Sequence, residues 1–416
     1  NHFPFYERKR KRVRDLQGTW VDKYDQFVRF LTESHPDLFK RWPRTIDDNT
    51  GKITDTLKRD EQTLEDFGEG IPEIRAYRQT KKLIRQLAWF RAPTEKDIQK
   101  NGDFFDTIGD DGRQRCFFGP FGTQTGRNAP KASRFIPAMA SWLRCLIHPN
   151  GDQAVCGIDW ASQEFAIAGL MSKDKAMMEA YQSGDPYLYF AKKAGAVPKN
   201  GTKADYKEER NLFKATTLGL QYGMGAVTLA VKLTADTGKK VTEEEARKLI
   251  KLHQKTYPTY WKWLEKVVGH YHRKGVLKLW DGWCLLGDND NDLSVKNFPV
   301  QGTGAVVMRE AIRLAHERGL HVMTPLHDAL YITFCKVTEA NHPEILGQCM
   351  DEAVKLVLGE VIEIRQDCDI HGSDEIWIEE KGQRYYELLS QYLEPRKTLE
   401  EEREELRETL LSTVLA

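Results

Sequence analysis

Residues 210–225 read RNLFKATTLGLQYGMG. At about 100° per residue, Lys214, Leu218 and Tyr222 follow Arg210 at roughly 40°, 80° and 120°, and Thr217 and Gln221 share that sector. Leu212, Phe213, Thr216 and Leu220 fall at about 200–300°, the packing side. The spacing predicts an amphipathic helix. One face is apolar; the other carries two cations, polar atoms and a ring. An isolated R-x-x-x-K is ordinarily a solvated basic face, so the meaning of this one rests on the rest of the chain.

With 416 residues, the chain can bury a large core and hold two or three domains. Its 40% hydrophobic and 30% charged residues are those of a soluble globular protein. No apolar run approaches the ~20 residues that span a bilayer, and no signal-peptide pattern is present, so no membrane partner is expected. The first residue is Asn1 rather than Met, as in a fragment or a processed product. The seven cysteines form no C-x-x-C pair, and several lie in apolar strings such as AVCGI and TFCKV. That usage points to reduced thiols, a reducing intracellular compartment (bacterial, phage-infected host or organelle) and no structural zinc. The formal net charge is +0, but residues from Glu360 onward carry 7 Lys+Arg and 16 Asp+Glu, a net −9, which leaves +9 on residues 1–359. A basic body with an acidic tail is compatible with a polyanionic partner.

The run RKRKRVR (Arg8–Arg14) reads as a solvated end. From about 24 to 100 the pattern is mostly helical, with IPEIRAYRQTKKLIRQLAWFR (Ile71–Arg91) the clearest helix and NTGK at 49–52 a break. Residues 101–150 are rich in Gly and Pro and read as short strands and turns. QAVCGIDWAS (153–162) is a buried strand ending in an aspartate. Residues 163–285 read as largely helical and include a Thr-x-x-Glu cap at Thr242–Glu245. NFPVQGTGAVVMREAIRLAHERG (297–319) is a glycine-punctuated approach to a helix. HVMTPLHDALYITF (321–334) is two strand runs interrupted by His327-Asp328.

Asp159 ends an apolar strand and Asp328 interrupts one. A carboxylate beside a core strand is costly unless compensated, and a metal ion compensates when two of them converge. Two oxygen ligands with open positions suit Mg²⁺, which keeps waters and bridges substrate phosphates. Two such ions clamp the attacking and leaving oxygens of an in-line phosphoryl displacement. The helical stretch between the aspartates, with Arg210 and Lys214 for a triphosphate and Tyr222 for a base, supplies the other half of such a site.

The order of these motifs resembles the polymerase module of family A DNA polymerases, the bacterial DNA polymerase I type, over roughly Ile71 to Trp377. GIDWASQEFAIAGLMSKD is similar to that family's motif A, which implies a metal aspartate at Asp159 and a ribose-sensing glutamate at Glu164. RNLFKATTLGLQYGMG resembles motif B, R-x3-K-x3-(Phe/Tyr)-x3-Y-G, and LHDAL resembles motif C, with the second metal aspartate at Asp328. QTGRNAP implies a minor-groove role for Arg127 at the primer end, and NFPVQGT implies the same for Asn297 and Gln301. YRQTKKL resembles the closing helix of the thumb. Minor-groove acceptors sit at similar places in every base pair, so Arg127, Asn297 and Gln301 suit a check of pair shape. Glu164 would crowd a 2′-hydroxyl, Lys214 neutralises or protonates the leaving pyrophosphate, and His327 touches the primer terminus.

The resemblance implies an α+β right-hand polymerase. The thumb and N-terminal segment fill 1–105, an antiparallel-sheet palm 106–170 and 286–380, and helical fingers 171–285. A charged helical extension fills 381–416. The implied activity is addition of dNTPs to a primer on a DNA template with two Mg²⁺ ions, for which Mn²⁺ can substitute. Nothing in 1–70 resembles a 3′→5′ exonuclease, so no proofreading by this chain is expected. The sequence departs from the family at four points. Leu218 stands for a Phe or Tyr, implying altered discrimination between deoxy- and dideoxynucleotides. Ala329 stands for the acidic residue after the motif C aspartate. Ser162 stands for a Gln, which the adjacent Gln163 is expected to replace. Tyr187, in GDPYLYF, stands for a phosphate-binding His and still offers a hydroxyl. These changes suggest a divergent viral or organellar branch. A single-subunit RNA polymerase and a catalytically impaired DNA-binding replication scaffold are the rival readings; Glu164 speaks against the first, and the retained Asp159, Asp328, Arg210, Lys214 and Tyr222 against the second.

Overall fold

A computed structural model describes residues 6–9, 19–46, 53–68, 70–87, 107–130, 135–237, 241–287, 292–359 and 363–390. Most of the basic run 8–14, the NTGK loop, the end of the helix expected over 71–91 and the tail 391–416 lie outside them.

The N-terminal part is more strand-rich than its sequence suggests. β1 (Tyr6–Lys9) pairs antiparallel with β2 (Thr19–Asp22). Helices α1 (Tyr24–Ser34) and α2 (Pro36–Arg41) follow, and Pro36 occupies the first turn, where its missing N–H costs nothing. β3 (Arg44–Ile46) and β4 (Ile53–Leu57) then form a hairpin within the region expected to be mostly helical. The Thr and Ile residues there favour the pleated state, and the Thr45 and Thr54 hydroxyls meet at 2.5 Å. α3 (Glu61–Gly68) and α4 (Pro72–Leu87) complete a unit with its own core of Phe27, Leu31, Trp42, Leu57, Leu64, Ile74 and Tyr77.

β5 (Phe118–Gly119) and β6 (Ala129–Pro130) make a short hairpin ahead of the main sheet. That sheet is antiparallel, in the order β10 (His321–Leu326), β11 (Ala329–Cys335), β7 (Gln153–Trp160), β12 (Gln366–Gly372). Side chains alternate across its faces. Ala154, Cys156, Ile158 and Trp160 of β7, with Leu330, Ile332 and Phe334 of β11, enter the large core. Gly157, Asp159 and Tyr331 take the other face. Gly157 is needed there, because a Cβ at that position would lie 2.4 Å from the Tyr331 ring.

Between β7 and the next strand, at Val276, run seven helices among the described residues: α5 (Gln163–Ser172), α6 (Lys175–Gln182), α7 (Pro186–Lys193), α8 (Lys207–Gln221), α9 (Ala226–Thr237), α10 (Glu243–Thr256) and α11 (Pro258–Lys274). Buried Asp174 ties two of them. One carboxylate oxygen caps α6 through the Met177 N–H; the other accepts from Thr259 and Tyr260 at the start of α11. The Thr242–Glu245 capping box forms as expected. A hairpin of β8 (Val276–Lys278) and β9 (Cys284–Leu286) interrupts the stretch read as helical. It turns through Asp281-Gly282, with Gly282 at φ +92°, a D-G signal that the sequence carried.

Helix α12 (Asp292–Glu317) starts earlier than expected and takes NFPVQGT inside it, Pro299 included. Gly302 lets it seat against the hairpin, since a Cβ would meet Leu279 at 2.5 Å. α13 (His342–Leu358) packs beside α12 on the covered face of the sheet, and α14 (Glu380–Ser390) begins the extension. The architecture is α+β. No described helix is long and apolar enough to cross a membrane.

Candidate active site

Asp159 sits at one end of the open sheet face, in register with Ala329 on one neighbouring strand and Asp367 on the other. Asp328 lies in the two-residue turn from β10 to β11. There His327 adopts φ +55°, left-handed backbone that a non-glycine residue takes only when its surroundings impose it. The Trp160 N–H donates to the Asp328 carbonyl at 3.2 Å, pinning the turn to β7. The two carboxyl groups lie close enough for the charge and side chain of Asp328 to act on the Asp159 carboxyl.

Burial foremost, then the negative charge and hydrogen bond of Asp328 and the charge of Asp367, push the Asp159 carboxyl up to about 7; Lys214 pulls it partly back. At neutral pH without a cation, Asp159 is therefore only about half ionised. The folded pKa lies above the unfolded one. Ionisation of Asp159 therefore costs no stability below about pH 4 and its full amount above about pH 7. Asp159→Asn removes that cost. In EDTA the variant is expected to melt above the wild type at pH 8, by roughly 2–4 °C per kcal/mol relieved, and level with it below about pH 4. Thermal scans at both pH values check this.

The opening helix, α8, buries Phe213, Thr216 and Leu220 as its pattern requires, each fully buried large apolar side chain contributing roughly 1.5–3 kcal/mol. Thr217 and Gln221, expected on the cationic face, are buried as well. The helix closes on Tyr222-Gly223-Met224. Gly223 takes φ +76°, its N–H reaches Leu220 O at 2.9 Å, and the Met224 N–H reaches Gly219 O at 2.9 Å. This is the Schellman ending, and it explains the Tyr-Gly pair. Arg210 Nε donates to Asp185 Oδ2 at 2.8 Å, and its guanidinium lies 5.3 Å from the Tyr187 ring centroid. Lys214 Nζ is 5.8 Å from the same centroid. The buried Tyr187 thus underlies both cations, with its hydroxyl in hydrogen-bond contact with Ser162. These residues and Asp159 line one cleft of about 960 Å³, which also takes in Lys203, Arg365 and Asp367.

On the other side, Arg127 Nη2 donates to Glu164 Oε1 at 2.5 Å, and Glu164 in turn contacts the Tyr222 hydroxyl. The Arg127 loop is itself braced. Trp283 Nε1 donates to Gln124 O at 3.0 Å, and Arg309 bonds Gly126 O and pairs with Asp281. Arg127 and His327 line a second cavity of about 290 Å³. Asn297 Nδ2 donates to Tyr222 O at 3.4 Å. Gln301, one turn further along α12, is half-buried, as is Leu218 on α8.

Gln163 departs from expectation. It is 2% exposed and packs against Gly304, where a Cβ would lie 2.9 Å from its Oε1. Ser162, at φ +56°, faces the cleft instead. The left-handed backbone at 162 turns the first residue of α5 inward, so the Gln163 side chain is packed away from the cleft that Ser162 lines.

Asp185, Lys203, Arg365 and Asp367 also line the cleft and lie outside the sequence motifs. Asp185 was legible as a helix cap before Pro186, but not as the partner of Arg210. Arg365 and Asp367 enter only through the pairing of β12 with β7, which no local pattern announces.

Asp159 and Asp328 offer hard, half-buried carboxylate oxygens, a donor set that fits Mg²⁺. Among the described residues, no group of three or more His, Cys, Asp and Glu forms a complete cage.

The family profile of DNA polymerase family A matches residues 29–375, and the chain belongs to that family. It is similar to DNA polymerase I of Aquifex aeolicus (strain VF5), 31% identical over 215 residues, covering 49% of this chain and 36% of that protein. It is also similar to the DNA polymerase of Mycobacterium phage D29, 28% identical over 234 residues, covering 55% and 37%. The chain thus spans little more than a third of these relatives' lengths. Its fold resembles the POL domain of Pol1 from M. smegmatis, solved in complex with DNA primer-template and dNTP. That likeness has a TM-score of 0.61 at 20% identity and covers 82% of this chain and 59% of that one.

Proposed function

We propose that the chain is a template-directed DNA polymerase that adds dNTPs to a primer 3′-hydroxyl by two-metal-ion phosphoryl transfer, with no proofreading exonuclease of its own. The observation that carries this reading is the contact of the Asp159 and Asp328 carboxyl groups at the wall of a cleft whose other side holds Arg210 and Lys214. In this reading, residues 1–105 are the thumb and N-terminal segment, 106–170 and 286–380 the palm, 171–285 the fingers and 381–416 the extension. The separate core of the first unit and the helical run between β7 and β10 support that division.

Asp159 and Asp328 would hold the magnesium ions, which when bound polarise the phosphoryl group and lower the pKa of the attacking hydroxyl. Arg210, fixed by Asp185, and Lys214 neutralise the triphosphate from the fingers side. Tyr187 keeps both cations in place. Glu164, with Tyr222 against it, bounds the sugar and excludes a 2′-hydroxyl. Arg127, Asn297 and Gln301 meet minor-groove acceptors, whose positions vary little among base pairs, and His327 faces the primer terminus. Arg127 exchanges its bond to Glu164 for the DNA when DNA binds.

The test is primer extension on a DNA template with Mg²⁺, comparing the four dNTPs with the four rNTPs. Extension with dNTPs, preferred at least about 100-fold, is expected, since loss of fit at one buried polar contact is worth several kcal/mol. Preference for rNTPs selects the RNA-polymerase reading, and no extension with either selects the scaffold.

A further inference from the structure

Arg365 immediately precedes β12 and lines the same cleft as Asp159, Arg210 and Lys214. Its backbone carbonyl accepts from the Ala161 N–H at 2.8 Å, two residues beyond Asp159. Its N–H donates to the Tyr181 hydroxyl at 3.0 Å, and its Nη1 donates to the Tyr181 carbonyl at 3.2 Å. The guanidinium carbon lies 4.6 Å from the Tyr181 ring centroid. Nη1 also approaches Gly184, where a Cβ would stand 3.6 Å away.

The arrangement repeats that of Arg210, whose guanidinium lies 5.3 Å from the Tyr187 centroid. The two tyrosines flank the Gly184-Asp185 loop, so a stacked guanidinium stands on each side of it. Stacking fixes the plane and leaves edge N–H groups for a bidentate acceptor. Arg210 spends one of its donors on Asp185. No carboxylate among the described residues forms an ion pair with Arg365, although Glu363 and Asp367 line the cleft with it. A half-buried cation so rigidly held, facing a polar cleft and in an ion pair with none of the carboxylates that share it (Asp351, Glu363 and Asp367), is suited to an anion that comes and goes.

Resting on the polymerase reading, we propose that Arg365 is a further polyphosphate-binding residue of this site. It takes the outer phosphates of the incoming nucleoside triphosphate and holds the pyrophosphate before release. It acts from the sheet side, opposite the motif B helix, and none of the motifs matched in the sequence contains it.

The experiment is calorimetric titration of inorganic tripolyphosphate with Mg²⁺ into the full chain, its Arg365→Gln variant and its Arg210→Gln variant, with melting temperatures recorded for each. Loss of one charge-assisted phosphate contact is expected to weaken binding about tenfold in Arg365→Gln, and at least as much in Arg210→Gln. If Arg365→Gln melts lower but binds tripolyphosphate as the wild type does while Arg210→Gln binds weakly, Arg365 only braces Tyr181 and the proposal is overturned with the polymerase reading intact. If neither variant loses affinity, the cleft is not a polyphosphate site and both fall. Should Arg365→Gln not fold, Arg365→Lys keeps the charge and loses the fork; a weakening of roughly two- to threefold is expected, and unchanged affinity overturns the proposal.

Discussion

Asp328→Ala is expected to lower primer extension by on the order of 10³-fold or more, the scale of losing a preorganised electrostatic partner of the transition state, with no loss of thermal stability. Both halves follow from one geometry. The Asp328 carboxyl is in contact with that of Asp159, so deleting it removes half of the donor set for a divalent ion. The same deletion relieves repulsion between like charges in a partly desolvated place, so the fold gains rather than loses. Primer-template affinity should stay within a few-fold, because it is carried by cations elsewhere on the surface. Steady-state extension, a gel-shift titration and a thermal scan on one preparation separate these effects. Activity near the wild-type level in the variant would remove the aspartate pair from the chemistry and leave the cleft without a catalytic reading. An inactive variant that also melts early would point to a structural turn residue instead.

What the sequence revealed and what it hid divide along physical lines. The motif B helix was legible because its apolar face repeats at helical period and its end is marked by a glycine that only left-handed backbone requires. The aspartates were legible because a carboxylate in an apolar strand conflicts with its surroundings. The β8–β9 hairpin was passed over although Asp281-Gly282 marks its turn; its strands are three residues each, too short to show alternation. The start of α12 was misplaced because Pro299 and two glycines look like helix breakers. Inside the helix those glycines serve close packing instead, and only tertiary contact reveals it. The burial of Gln163 depends on the left-handed turn at Ser162, a conformation that serine does not advertise. Asp367 and Arg365 were hidden for a different reason. Their role comes from β12 pairing with β7 across about half the chain, and the local string RQDCDIHG reads as a polar edge strand with no hint of its neighbour.

Lys214→Ala is expected to reduce kcat by about 10²–10⁴-fold, the range for removal of a positioned general acid, while KM for the dNTP changes far less. Arg210→Ala should divide the other way, with the larger effect on KM. Arg210 is held by Asp185 and laid over Tyr187, so its contribution to a bound triphosphate is already in place in the ground state, and ground-state contacts appear in KM. Lys214 stands one turn further along α8, close enough to Asp159 to pull its carboxyl pKa down. Its charge therefore reaches the atoms where new negative charge develops as pyrophosphate departs, and contacts that strengthen only there appear in kcat. Single-turnover extension over a range of dNTP concentrations gives both constants without interference from DNA release. Lys214→Arg divides the two ways in which the lysine could act. Arginine keeps the charge but gives up a proton far less readily, so recovery of most of the rate assigns an electrostatic role, and failure to recover assigns proton donation. A Lys214→Ala variant within tenfold of the wild type in kcat would mean that the cation facing the aspartates contributes to binding alone, and the departing phosphate would have to be neutralised from elsewhere in the cleft.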